Sequence, residues 1–264
     1  MPMLLCFCFM ILSLLAVINS FSTTPLHAAP QRLTPLIQRT LPWTGHFSAR
    51  NFKKTRTDRL RLSFVKAQVR NSILALPKWH TDPLTTLEIR NESNISRGLS
   101  SSKKIILHTN SIDTSDELQG VFIHELGHIV DLGALKGKRG SRTKFQDGKN
   151  PVLSDDLSVR FYEISWTSAK TQKRNSQRVD FVSGYAQADC FEDFAESYLM
   201  YRLHGENFRA LTQQSPLLQK KYNFMKTHVF GNIEFDLEKE DVALTAFFDT
   251  TLLPIDTLQV LAKR

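Results

Sequence analysis

The chain has 264 residues and a formal net charge of +8, enough for one sizeable domain or two small ones with a real hydrophobic core. Its hydrophobic share of 41% and charged share of 23% are those of an ordinary soluble globular protein, with no repeat and no low-complexity tract. A disulfide-built fold is excluded: Cys6 and Cys8 fall in an apolar leader, which leaves Cys190 as the one thiol after the leader is removed. The positive balance admits an anionic surface or an acidic substrate as a partner, and equally a plain basic solvated surface.

Residues 3–18 form a nearly unbroken apolar run, followed by Asn19, Ser20, Phe21 and Ser22. This pattern predicts a Sec-type signal peptide over 1–22 and a secreted or periplasmic protein. The run is shorter than the ~20 residues that span a bilayer. The region before it lacks Lys and Arg, so an uncleaved anchor is the alternative reading. Residues 23–56 mix Pro, Arg, Thr and Gln and read as an irregular N-terminal arm. The catalytic-size domain is expected over 57–264.

Thr57-Asp58 offers a helix cap, and Leu60, Leu62, Phe64, Val65, Val69, Ile73 and Leu74 recur at helical spacing until Leu76-Pro77 stops them. Residues 87–90 read as a short strand, 91–102 as a Ser/Asn-rich loop and 103–109 as a stronger strand. Thr114 with Glu117 forms a capping box for the helix that follows. From 133 to about 182 the chain lacks a sustained apolar period and is rich in Lys and Arg. Within it only 159–166 reads as ordered, as a strand or extended segment. So long a loop either frames a cleft or is a solvated insertion. Helices are expected over 189–204, over 216–230 up to Gly231, and within 241–260 before Pro254.

The helix capped by Thr114 carries His124-Glu125-Leu126-Gly127-His128. Residues four apart share a helix face, so both imidazoles can grip one ion, with Glu125 able to reach a water on that ion. A catalytic zinc site needs a third protein ligand and one open position. Asp131 and Ala134 stand where a metzincin would have Gly and His. A later helix offers Glu192-Asp193-Phe194-Ala195-Glu196 instead. Glu192 and Glu196 share a face, so one can ligate while the other fixes a ligand imidazole from outside. The residues alone leave open which of Glu192, Asp193 and Glu196 ligates. Asp131 either supports His128 or sits exposed. Cys190 reads as a buried structural thiol rather than a nucleophile, and His108 and His204 are left outside the site.

The combination H-E-x-G-H-x-x-D, then Ser183-Gly184-Tyr185-Ala186, then E-D-F-A-E resembles the zincins related to anthrax lethal factor, a gluzincin group. The likeness covers roughly residues 100–200. It implies a zincin-like α+β fold with a small mixed sheet, an active-site helix and a mostly helical C-terminal part. It implies a single Zn2+ held by His124, His128 and Glu192, with Glu125 as general base, Tyr185 facing the zinc, and Glu196 and Asp131 in support. The expected activity is secreted, zinc-dependent hydrolysis of a peptide or protein, with no specific nucleic acid involved. In such folds a strand like 103–109 edges the cleft. A catalytically inactive binding protein of the same fold and a cell-wall peptide amidase are the alternatives.

Overall fold

The computed structural model describes residues 43–235 and 249–255. The leader expected over 1–22, the arm up to residue 42 and most of the helical stretch expected over 241–260 lie outside those residues. Among the described residues, seven α-helices and three small sheets form a mixed α+β fold. No described helix is long and apolar enough to cross a membrane.

The end of the predicted arm is not irregular. Strand β1 (His46–Arg50) pairs in parallel with β2 (Thr86–Arg90), and Trp43 Nε1 donates to Leu84 O at 2.6 Å. An edge strand takes its order from its neighbour, so β1 needs no strong apolar run of its own. Helix α1 (Arg56–Leu74) starts where Thr55 accepts the Asp58 N–H. Its inward face is Val65, Val69, Ser72 and Ile73, whereas Leu60 and Phe64 of the same apolar pattern face solvent. A short helix, α2 (Lys78–Thr81), leads into β2.

The main sheet has the order β1-β2-β4-β3. Strand β4 (Lys104–His108) runs parallel to β2, and β3 (Gly98–Ser100) runs antiparallel to β4. Strand β3 lies inside the segment expected to be a loop. Three residues are too short to display an alternation, and Gly98 and Ser100 weaken the strand signal further. Leu87, Ile89, Ile105 and Leu107 are fully buried on one face of the sheet. On the other, Glu88 is clasped by Arg50, Arg90 and Lys104. Hydrogen bonds from Lys104 and Arg90 hold its carboxyl down to about 2.

Helix α3 (Ser115–Ile129) is buried from Leu118 onward and passes into a π turn at Val130–Ala134. The basic segment that follows contains several short elements. It forms a hairpin of β5 (Arg142–Asp147) and β6 (Asn150–Leu153), a helix α4 (Val159–Ser165), and a second hairpin of β7 (Trp166–Ser168) and β8 (Thr171–Gln172). Residues 159–165 are thus helical rather than extended. Their aromatic and branched residues suit a strand, but Phe161 stacks edge-on against Phe194 and Phe224, and that packing sets the conformation.

Helix α5 (Cys190–Leu203) is almost entirely buried. The chain continues through α6 (Gly205–Thr212) and α7 (Pro216–Phe224), then a π turn at Met225–Val229 before Gly231 at φ +59°. Helices α3 and α5 meet at Gly127, where a Cβ would lie 2.9 Å from Ala195 Cα. That contact lets the imidazoles of α3 and the carboxylates of α5 face each other across a short gap.

Candidate metal centre

Each helix is fixed at the end that presents its ligands or its entry. Thr114 Oγ1 accepts the Glu117 N–H at 3.1 Å and starts α3. The Glu117 carboxylate accepts from Asp113 N at 2.8 Å and takes Arg97 Nη1 at 2.6 Å. Asp189 caps α5 by accepting from the Phe191 and Glu192 N–H groups, each at 3.0 Å. Glu192 therefore sits in the first turn of α5, with Glu196 one turn further on.

His124 and His128 lie side by side, ring centroids 5.1 Å apart. Glu192 Oε2 is 3.1 Å from His124 Nε2 and 3.4 Å from His128 Nε2. One ligand atom from each of these three residues lies within 4.8 Å of the others, a group able to hold a metal ion. A tetrahedral ion with bonds of ~2.0–2.1 Å sets its donor atoms ~3.3 Å apart, close to the separations of 3.1 and 3.4 Å. Two imidazole nitrogens and one carboxylate oxygen also make a suitable donor set for a divalent transition ion.

On the far side of the His124 ring, Glu196 Oε1 meets Nδ1 at 2.8 Å. Glu196 is fully buried. Its Oε2 accepts from Ser183 Oγ at 2.7 Å, Thr250 N at 2.8 Å and Thr250 Oγ1 at 3.0 Å. Burial disfavours a charged His124, but hydrogen bonds to Glu192 and Glu196 outweigh it and hold its pKa well above the usual range. The His128 pKa also rises against burial through its bond to Glu192. Burial raises the Glu192 carboxyl, yet the two imidazoles win and leave it below the normal carboxylate range. Two rings and one carboxylate are thus tightly coupled, and a cation between them can replace the protons they share.

Glu125 is 7% exposed and lines the cleft. Among the described residues its carboxylate has no hydrogen-bond or ion-pair partner. The neighbouring wall is Gly98 of β3, where a Cβ would stand 2.3 Å from Glu125 Oε1. Glycine at 98 lets the strand pass close beside that carboxylate without displacing it. Tyr185 opens a 3-10 turn (Tyr185–Gln187), its ring centroid 5.8 Å from that of His124. Burial and then the charge and hydrogen bond of Glu192 push its phenol pKa up.

The cleft in front of these groups has a volume of about 750 Å³. Strand β3 forms one wall, while Tyr185, Phe191 and Leu132 contribute elsewhere. The sheet edge on the cleft is therefore β3, not the strand expected over 103–109, because β4 is enclosed between β2 and β3. The 133–182 insertion reaches the cleft through Asp147, and none of its Lys or Arg residues lines it.

Asp131 is placed differently from either expectation. It is buried, and its carboxylate accepts the Tyr162 hydroxyl at 2.5 Å rather than a ring hydrogen of His128. The π turn that begins at Val130 turns residue 131 toward α4. Burial raises its carboxyl to about 8. Cys190 is buried with its thiol pKa pushed up by that burial, which suits an inert thiol. His108 and His204 are buried away from the cleft.

The sequence gives no role to Gly98, Arg97, Ser183, Asp249 or Thr250. Ser183 opens the Ser183-Gly184-Tyr185-Ala186 motif, and Gly98 in a polar stretch is the kind of residue that marks a close approach. Thr250 gives no local signal, since its partner is 54 residues away. A comparison with known protein families, with curated proteins and with solved structures finds no match.

Proposed function

We propose that this chain is a secreted zinc-dependent peptidase of the gluzincin type, with the zincin-like fold that its motifs resemble. One observation carries the reading: His124, His128 and Glu192 converge in a cleft beside Glu125, which has no partner among the described residues. His124 Nε2, His128 Nε2 and Glu192 Oε2 would hold the ion. Bound there, zinc would supply a Lewis acid and lower the pKa of a water toward ~7.

The chain's own groups do the rest. Glu125 takes a proton from the attacking water onto its carboxylate and passes it to the leaving amine. With no partner among the described residues, both oxygens are available for that transfer. The Tyr185 hydroxyl stays protonated because burial and Glu192 keep its pKa high. It therefore acts as a hydrogen-bond donor to the carbonyl oxygen as charge develops. Strand β3 pairs with β4 along one edge, and an extended peptide can add to its other edge by backbone hydrogen bonds. This favours a peptide or protein as substrate. The basic surface of the insertion lies off the cleft and suits an anionic envelope more than substrate selection.

The test is purified protein, zinc analysis and unbiased profiling of peptide cleavage. Glu125→Gln should retain zinc and lose at least ~10²–10⁴ in kcat. Tyr185→Phe should retain zinc and lose ~10²–10³. Cleavage by Glu125→Gln at the wild-type rate would falsify the assigned role, and a metal-replete wild type that cuts no peptide in a broad library would favour a binding protein.

A further inference from the structure

We propose that residues 249–255 are part of the metal centre, and that Thr250 is a positioning residue that sets affinity for the ion through Glu196. The inference rests on the metal reading above and extends it to a segment remote in sequence.

Glu196 is a fully buried carboxylate directly behind His124. A buried carboxylate is tolerable when its lone pairs are occupied by donors. Oε1 takes His124 Nδ1, and Oε2 receives three donors, two of them from Thr250. Thr250 opens a 3-10 turn (Thr250–Leu252). Its N–H has no partner within that turn and is free to point at Glu196. With Oε2 held from the C-terminal segment and from Ser183, the carboxylate cannot rotate. Oε1 then keeps the proton on Nδ1 and directs the Nε2 lone pair toward Glu192 and the cleft.

The segment is anchored independently of Glu196. Asp249 Oδ2 receives Arg97 Nη2 at 2.7 Å, and Asp249 Oδ1 accepts the Thr251 N–H at 3.1 Å. Gly120 of α3 leaves room for the Thr251 backbone, since a Cβ there would come within 2.8 Å of Thr251 O. Leu253 and Ile255 are buried. Arg97 also pairs with Glu117 at the start of α3 and precedes Gly98, the residue that abuts Glu125. One short segment thus fastens the support of His124 and the strand beside Glu125 together.

The full chain, stripped of metal, is titrated with zinc against a competing chelator, and metal-free melting temperatures are recorded alongside. Thr250→Pro removes both donors, and proline is tolerated at the first position of a helical turn. It should weaken zinc binding by ~10–100-fold, the usual worth of an outer partner. Thr250→Val, which keeps the N–H, should show a smaller loss with little change in metal-free melting. Thr250→Ser, which keeps both donors, should bind as the wild type does. If Thr250→Pro fails to fold, the contrast between Val and Ser decides. Folded Thr250→Pro, or Val compared with Ser, binding zinc with undiminished affinity overturns the role of Thr250 alone. A wild-type chain that binds no zinc brings down the metal reading itself, and this inference with it.

Discussion

Helix α5 bears two buried groups of charge, and they follow different rules. Asp193 and Lys221 are both fully buried, 2.7 Å apart. Trp166 Nε1 donates to Asp193 at 2.9 Å, and Lys221 also donates to Asp180 O at 2.7 Å. The ammonium lies 4.0 Å from the Phe181 ring centroid. This group is closed and contains its own cation. One residue earlier and three later, Glu192 and Glu196 join Glu125 around two imidazoles. Among the described residues no Lys or Arg pairs with any of those three carboxylates. A structural ion pair is saturated from within, whereas the group at the cleft is short of a fixed positive charge and open on one side. That difference separates a site that can take a metal from one that only holds helices together.

The contrast can be broken most directly at Glu192. Glu192→Ala should reduce zinc affinity by well over the ~10–100-fold typical of an outer partner, and the chain should still fold because Glu192 is partly exposed at the cleft. Equilibrium dialysis with zinc checks this; undiminished binding would move the third ligand elsewhere. Lys221→Met should give the opposite pattern. It strands Asp193 in the interior at a cost of about 3–5 kcal/mol, read as a lowered urea midpoint, while the folded fraction keeps its zinc affinity. Loss of zinc without loss of stability would mean that the two groups are not separate. Gly127→Val sharpens the comparison from the helix contact. Forcing a side chain against Ala195 should cost about 1–3 kcal/mol and weaken zinc binding roughly tenfold by spreading the donors, with both effects appearing together.

The legible parts of the fold were those with a long period or a local cap. Helix α3 announced itself through Thr114, Glu117 and a continuous apolar run, and α5 through Phe191, Phe194, Ala195, Tyr198 and Leu199. Strands β2 and β4 stood out because Leu87, Ile89, Ile105 and Leu107 alternate. The misread parts are short. Seven residues at 159–165 cannot separate a period of 2 from one of 3.6, and β1 and β3 owe their order to pairing partners. The hairpins of the insertion are held by residues such as Asp155, which accepts the backbone N–H groups of Lys138, Arg139 and Gly140. No run of apolar residues records that kind of bond.

The sequence by itself determined that two histidines and a glutamate share one capped helix, because a spacing of four residues is fixed by the local geometry of the helix. It also placed Glu192, Asp193 and Glu196 on one later helix; the residues alone left the ligand open, and the motif resemblance pointed to Glu192 with Glu196 in support. Tertiary structure gave each its partner: Glu192 the cleft and both imidazoles, Asp193 Lys221, Glu196 the back of His124. Each step along a helix turns the side chain by ~100°, so the role of each acid depends on what α3, α7 and the segment 249–255 bring to its side. Those partners lie tens of residues away, and only packing brings them into contact.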